Sequence, residues 1–365
     1  MLFKTIVSSA LLAQALAAPA VHNHHQHNQE KRAVYVVTQT SVVVVTLGAG
    51  DATTTLSQVS LSPHTDVSVA SPVTDAPQVV PSSIVSESEA PSPVSSETPQ
   101  YTDTPSTGSG GAKGITYSPY SDAGGCKTSA QIAVEIALLA GFDVIRLYGV
   151  DCDQVAQVLK AKHSGQKIFA GIFDVGQISQ GIQTIADAVA AHGSWDDIHT
   201  ISIGNELVNS GQCSPAQIKG YVDEARGALA STGYKGPVVS VDTFIAVINN
   251  PSLCQYSDYI AVNAHAFFDG HYTADQAGDW VLSQIQRVWT ACGGSKNVLI
   301  TETGWPSRGE SNGAAVPSLK NQQSAISSIK STCGNSAILF TAFNDLWKAD
   351  GPFNAEKYWG FLSSA

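Results

Sequence analysis

Charge is scarce in this sequence. Lys, Arg, Asp and Glu supply 13% of its 365 residues, with 19 basic against 30 acidic side chains and a formal net charge of -11. So few Lys and Arg residues leave no basic patch for a polyphosphate backbone, which excludes nucleic acid as a partner. Long apolar runs are missing as well. The one at the amino terminus, Ile6 to Leu16 after Lys4, is too short to span a bilayer. It ends in Ala15-Leu16-Ala17, a small-x-small cleavage pattern, so residues 1–17 read as a secretory signal peptide. The carboxyl end, Gly360-Phe361-Leu362-Ser363-Ser364-Ala365, lacks the hydrophobic tail of a lipid-anchored precursor. Also missing are any Cys-x-x-Cys spacing, which argues against zinc, and any Asn-x-Ser/Thr sequon, Asn250 being followed by proline. These absences lead to an expectation of a soluble, secreted, extracellular protein at the cell wall or cell surface, monomeric, metal-free and with no membrane contact in its mature form.

After the signal peptide come His22, His24, His25 and His27, then Lys31-Arg32. A dibasic pair just below a signal peptide looks like a processing site, so residues 18–32 read as a propeptide rather than a metal site. Residues 33–111 begin with two valine-rich patches, Val34 to Val37 and Val42 to Val45, and continue as Ser, Thr, Val and Pro with hardly an aromatic. Such a composition cannot bury enough apolar surface to offset chain entropy, and disorder is expected. In a secreted chain the same texture suggests an O-glycosylated stalk. Ser106 to Gly111 reads as a flexible hinge.

From residue 112 a rhythm of buried strands and helices sets in. Strands are expected at Gly114–Tyr117, Val144–Tyr148, Lys167–Ile172, Ile198–Ile203, Val238–Val241, Tyr259–Asn263, Val298–Thr301 and Ala337–Phe343. Helices fall between them, one capped by Ser129 and another opened by Ser214-Pro215-Ala216-Gln217, with a cap, a first-turn proline and a capping-box glutamine. Eight strand–helix units over residues 112–365 predict an α/β protein of the (β/α)8 TIM-barrel class, whose typical size is about 250 residues. A doubly wound open sheet is the alternative, but no Gly-x-Gly-x-x-Gly follows the first strand.

Six cysteines in a secreted chain favour disulfides. In this topology Cys126 and Cys152 follow strands one and two, Cys213 and Cys254 follow strands four and five, and Cys292 and Cys333 end helices at the opposite rim. Sequential pairing is therefore expected: Cys126–Cys152, Cys213–Cys254 and Cys292–Cys333.

A barrel's chemistry gathers at the C-terminal ends of its strands. Those ends carry Tyr117 and Tyr120, Arg146 and Tyr148, Asp174, Asn205 and Glu206, Asp242, Asn263 and His265, Glu302 and Trp305, and Asn344. Two are carboxylates after aliphatic runs: Glu206 in Ile201-Ser202-Ile203-Gly204-Asn205-Glu206, and Glu302 in Val298-Leu299-Ile300-Thr301-Glu302. Desolvation opposes a charge in the middle of a buried strand, so Glu302 is expected at the strand's mouth. Strands four and seven lie across the barrel mouth, where two carboxylates can face a glycosidic bond, one protonating the leaving oxygen and the other below the anomeric carbon. Asn205 is then placed to bond a sugar 2-hydroxyl, Trp305 to stack on a pyranose ring, and Arg146 to hold the strand-seven carboxylate ionised.

Two stretches, Ile203-Gly204-Asn205-Glu206 and Glu302-Thr303-Gly304-Trp305-Pro306-Ser307, resemble the signatures of glycoside hydrolase family 17, the endo-1,3-β-glucanases. Gly114 to Tyr117, Ile145 to Tyr148 and Val262-Asn263-Ala264-His265-Ala266-Phe267-Phe268 resemble its strand-one, strand-two and strand-six motifs, so the likeness runs from Gly114 to about Leu362. Within the family the chain is similar to yeast soluble cell wall proteins and wall mannoproteins. The resemblance implies a (β/α)8 barrel, a retaining mechanism with Glu206 as acid/base and Glu302 as nucleophile, no cofactor, and the β-1,3-glucan of the cell wall as partner. Plant members usually carry Tyr where this chain has His265; a histidine there would make activity pH-sensitive. Lys348 matches the fungal pattern and is assigned a subsite role. Hydrolysis and glucanosyl transfer share the covalent intermediate, and both stand open at this point. Two other readings remain: a structural or adhesive mannoprotein that binds glucan with little turnover, and a retaining glycosidase of β-1,4 or β-1,6 specificity.

Overall fold

The computed structural model describes residues 108–362. The signal-peptide, propeptide and leader assignments up to residue 107 lie outside the described residues.

Eight parallel strands close into a barrel, each hydrogen-bonded to its sequence neighbours. They are β1 (Gly114–Thr116), β2 (Val144–Arg146), β3 (Lys167–Ile172), β4 (Ile198–Ile203), β5 (Val238–Thr243), β6 (Ile260–Asn263), β7 (Val298–Thr303) and β8 (Ala337–Leu339). Closure is made by β1 against β8, with Gly114 opposite Ile338 and Ile115 opposite Leu339. The fold is the (β/α)8 barrel.

Strand residues alternate between two cores, as the period of two requires. Val144, Phe169, Val239, Val241, Ala261 and Ile338 pack together as one cluster, apart from the larger one made with the helices. Arg146 shares a strand face with Val144, which turns its guanidinium into the barrel. That placement is the first requirement of the site.

Helices α1 (Ser129–Ala137), α2 (Gln154–Ala161), α3 (Ile178–His192) and α4 (Pro215–Leu229) follow the first four strands. Two short helices, α5 (Phe244–Asn249) and α6 (Leu253–Tyr256), follow β5, and α7 (Ala277–Ala291) and α8 (Leu319–Cys333) follow β6 and β7. The α4 start is a capping box of Ser214 and Gln217 with proline in the first turn. At α1 the cap is Thr128 rather than Ser129: Thr128 accepts from the Gln131 N–H and Gln131 reaches back to it. After β8, among the described residues, there is only a 3-10 turn at Pro352–Asn354 in place of the expected eighth helix. The Gly108–Gly111 end of the expected hinge is packed rather than free, with Gly110 N donating to Gly141 O at 2.6 Å.

Cys126 is bonded to Cys152, and Cys254 to Cys292. The expected Cys213–Cys254 and Cys292–Cys333 bonds are thereby corrected. The reason is topological: α5 carries the chain down from the β5 end, so Cys254 in α6 lies at the rim where β6 begins. Cys292, at the end of α7, lies beside it just before β7. Cys213 stays at the opposite rim, in the loop before α4, and is free.

Candidate active site

One cleft of about 810 Å³ opens at the C-terminal ends of the strands, and Glu206 and Glu302 both line it. Glu302 is the fifth residue of β7 and not beyond its end, and it is buried. Its charge survives because β2 supplies a counterion: Arg146 Nη1 donates to Glu302 Oε1 at 2.9 Å. On the other side His265 Nε2 lies 3.4 Å from Glu302 Oε2. Burial pushes this carboxyl up, but the Arg146 charge and the His265 contact outweigh it and hold the group at about 2.

Glu206 has the opposite setting. The chain leaves β4 through Gly204 and Glu206, both with positive φ (70° and 57°), a conformation that costs a residue with a side chain and that clusters at functional sites. The Glu206 N–H donates to Val241 O at 3.0 Å, and Asp242 accepts from the N–H groups of Val208 and Asn209 at 2.8 and 3.1 Å, fixing the loop. With no cation at bonding distance among the described residues, burial first and the Glu302 charge second push the Glu206 carboxyl up.

Asn263 joins the two carboxyl groups. Its Oδ1 accepts from Thr301 Oγ1 at 2.8 Å and from Arg146 Nη1 at 3.2 Å, so its amide nitrogen must face the other way. That nitrogen donates to Glu206 Oε1 at 2.8 Å, which leaves Glu206 Oε2 without a bond from Asn263. Arg146 Nη2 and Asn263 Nδ2 both donate to Asn205 Oδ1, at 2.8 and 3.2 Å. The Asn205 amide NH2 is then the part of that side chain left for a ligand. Tightness is built in at β7 as well: a Cβ on Gly304 would run into the Phe340 carbonyl oxygen.

Of the residues singled out from sequence, Tyr120, Tyr148, Asp174, Asn205, Glu206, His265, Phe268, Glu302 and Lys348 line the cleft. Arg146 and Asn263 lie buried beneath it, touching the carboxyl groups. Tyr117 is buried, and its hydroxyl donates to Glu135 Oε2 at 2.6 Å, away from the cleft. Trp305 is fully buried at 0% exposure, and its Nε1 donates to Val316 O at 3.1 Å. The stacking platform expected of Trp305 is therefore corrected; its ring packs edge-on against Phe267 in the core. Pro306 and the turn at Gly304 carry the chain off the strand in a direction that spacing does not reveal.

The aromatic wall comes from residues that sequence reasoning passed over. Phe173, Trp347 and Trp359 line the cleft with Phe268, and Phe173, Phe268 and Trp347 are 60%, 43% and 37% exposed. Phe173 directly follows β3 and was within reach of the strand-end rule, whereas Trp347 lies eight residues beyond β8, beside the Lys348 that the resemblance singled out. Trp359 returns from the carboxyl-terminal segment and packs 4.9 Å from the His265 ring, a long-range contact with no local signal. His265 Nδ1 and Trp359 Nε1 are buried polar atoms of cleft-lining residues without a hydrogen-bond partner among the described residues.

A barrel with one carboxyl pushed up and one held ionised at the mouth, walled by exposed aromatic rings, has the parts that glycoside cleavage requires. The family model for the BtgE/BtgC glycoside hydrolase domain matches residues 114–360, and the chain belongs to this family of glycosidases. It is 66% identical over 379 aligned residues, spanning all of both chains, to the cell surface mannoprotein MP65 of Candida albicans. It is 64% identical over 239 residues to the probable family 17 glucosidase SCW10 of Saccharomyces cerevisiae, over 66% of this chain and 61% of that protein. Among solved structures it is similar in fold to an active-site mutant of a Rhizomucor miehei β-1,3-glucanosyltransferase in complex with laminaritriose. That likeness has a TM-score of 0.60 and 22% identity, over 70% of this chain and 95% of the other.

Proposed function

We propose that this protein is a secreted, retaining glycosidase that acts on β-1,3-glucan in the cell wall and serves in wall remodelling. The observation that carries the reading is the unequal ionisation of two carboxyl groups joined through Asn263: Glu302 held ionised by Arg146, Glu206 pushed toward its protonated form. Environments that push two carboxyl pKa values apart assign an acid and an anion. Glu302 attacks the anomeric carbon while Glu206 gives its proton to the leaving oxygen, which departs as a shorter glucan. The Glu206 carboxylate then takes a proton from water, or from a hydroxyl of a second glucan, and that oxygen displaces Glu302 with a second inversion. Water gives hydrolysis and a sugar hydroxyl gives transfer. Tyr148, Asn205, His265, Phe268 and Lys348 hold the sugar in this cleft. The description of the yeast relative as a probable family 17 glucosidase supports the substrate class, and the strand-end motifs support the β-1,3 linkage.

The test is to incubate the protein with a defined β-1,3-gluco-oligosaccharide, follow products by mass spectrometry, and read the anomer first formed by NMR. Wild type is compared with Glu302→Gln and Glu206→Gln. Shorter products mark hydrolysis, longer ones transfer, and retention of the β-anomer marks the covalent route. Cleavage of β-1,4- or β-1,6-oligosaccharides in preference would reassign the linkage.

A second reading, a wall mannoprotein that binds glucan with little turnover, is favoured by the Candida relative's description as a cell surface mannoprotein. Under that reading wild type and Glu302→Gln would bind insoluble glucan equally and neither would change the oligosaccharide.

A further inference from the structure

We propose that Tyr120, Asp151 and Trp347 form a second sugar-binding wall of the cleft, and that the Cys126–Cys152 disulfide is the device that positions it. This rests on the glycosidase reading and concerns a glucose unit distant from the bond that breaks.

The wall is assembled from three loops. After β1 the chain makes a two-stranded hairpin, Tyr120–Ser121 against Gly125–Cys126, in which Tyr120 stands opposite Cys126. After β2 comes a single 3-10 turn, Asp151–Asp153, containing Cys152. The disulfide joins these two loops, and a hydrogen bond joins them again beside it: Tyr120 Oη donates to the Asp151 carboxylate, 2.9 Å from each oxygen. Each partner in that hydrogen bond is thus next to one half of the cystine, Tyr120 across the hairpin and Asp151 along the chain. Gln154 Nε2 holds Asp151 Oδ1 from behind at 2.8 Å.

From the third loop, after β8, Trp347 packs on Tyr120 with ring centroids 4.9 Å apart and an interplanar angle of 63°. Its Nε1 donates to Asp345 Oδ1 at 3.1 Å, which fixes the indole. Tyr120, Asp151 and Trp347 all line the cleft. None of their hydrogen bonds among the described residues reaches Glu206 or Glu302. The group therefore offers a sugar two aromatic surfaces and a carboxylate acceptor without touching the reacting atoms.

Cys152 and Asp153 both have positive φ, 53° and 48°, in a turn with no glycine. Such a conformation persists where its surroundings over-determine it. The disulfide and the Tyr120–Asp151 bond are two independent constraints on that turn. Remove the covalent one, and only the Tyr120–Asp151 hydrogen bond ties the turn to the hairpin that packs on Trp347.

The experiment uses the full chain as wild type, Trp347→Ala, Trp347→Phe, Tyr120→Phe and the double variant Cys126→Ser/Cys152→Ser. kcat and KM are measured over a length series of β-1,3-gluco-oligosaccharides, starting from the shortest that wild type cleaves. In Trp347→Ala the ratio of kcat/KM for long over short substrates should fall about tenfold, the size of one lost ring contact, and the change should lie in KM. Trp347→Phe should recover most of it. The double serine variant and Tyr120→Phe should move the same ratio in the same direction. An unchanged ratio in variants that melt like wild type overturns the proposal, as does an equal loss of kcat on every length. If the double variant does not fold, the Trp347 and Tyr120 variants decide. If wild type cleaves nothing, the glycosidase reading fails. Calorimetric binding of the same oligosaccharides then decides the wall separately, with weaker binding of long chains by Trp347→Ala as the supporting result and equal binding as the refuting one.

Discussion

Arg146 Nη1 and Glu302 Oε1 are 2.9 Å apart with side chains 2% and 9% exposed, so the ionised carboxylate of the cleft is one half of a buried ion pair. Removing one partner of such a pair strands the other, at a cost of about 3–5 kcal/mol. Arg146→Ala should lose about that much stability in denaturant unfolding. In the wild type Glu302 lies well below its ordinary value of 4.5, at about 2. The stability contributed by its ionised form is present above 4.5 and lost as pH falls toward 2. That acid-side loss should shrink in Arg146→Ala. A variant as stable as wild type would contradict the pairing.

The pH dependence of activity follows from the same two carboxyl groups. Glu302 must be ionised, and protonates only near 2; Glu206 must be protonated, and titrates above its ordinary 4.5. Activity should rise from strongly acidic pH, hold through mildly acidic pH and fall as Glu206 loses its proton. A profile of kcat/KM against pH checks this, and an optimum in the alkaline range would refute the assignment.

Glu206→Gln keeps the Asn263 hydrogen bond but removes the proton donor. Its kcat should fall by roughly 10²–10⁴, the ordinary worth of general acid–base catalysis. A leaving group that departs without protonation, such as a dinitrophenolate, should recover much of the glycosylation rate. Equal loss on both kinds of substrate would count against Glu206 as the acid.

Trp305 belongs to the core, so Trp305→Ala should cost about 3–5 kcal/mol of stability. Thermal unfolding reads this. Trp305→Phe should restore much of the stability and leave KM for oligosaccharides close to wild type, whereas a direct stacking role would raise KM in both.

Phe173 makes the opposite case, being 60% exposed in the cleft wall. Phe173→Ala should shift stability by no more than about 0.5 kcal/mol, as exposed positions do. KM for oligosaccharides should rise, measured beside melting temperature. A large drop in stability with KM unchanged would show it to be a packing residue.

Much of the site was legible because barrel strands announce themselves as short aliphatic runs, and the residue that ends each run falls at one rim. That rule picks out Glu206, Glu302, Asn205, His265 and Tyr148, all of which line the cleft. It failed for Trp305 because a strand end gives position along the axis and not direction: Gly304 packs against the Phe340 carbonyl and the indole turns inward. It failed for the cysteines because α5 and α6 both intervene between β5 and β6, moving Cys254 to the other rim before it can meet Cys213.

The amino-acid sequence by itself determined the strand–helix alternation, hence the barrel, and the two carboxyl groups at its mouth. Hydrophobic period and strand-end chemistry are local properties, and local properties can be read along a chain. Tertiary structure alone decided which carboxyl has its pKa lowered and which has it raised. Arg146, Asn263 and Glu302 come from three different strands, and Glu206 from the end of a fourth. The energy of a buried charge is set by neighbours within a few ångströms, and those neighbours are brought together only when the barrel closes.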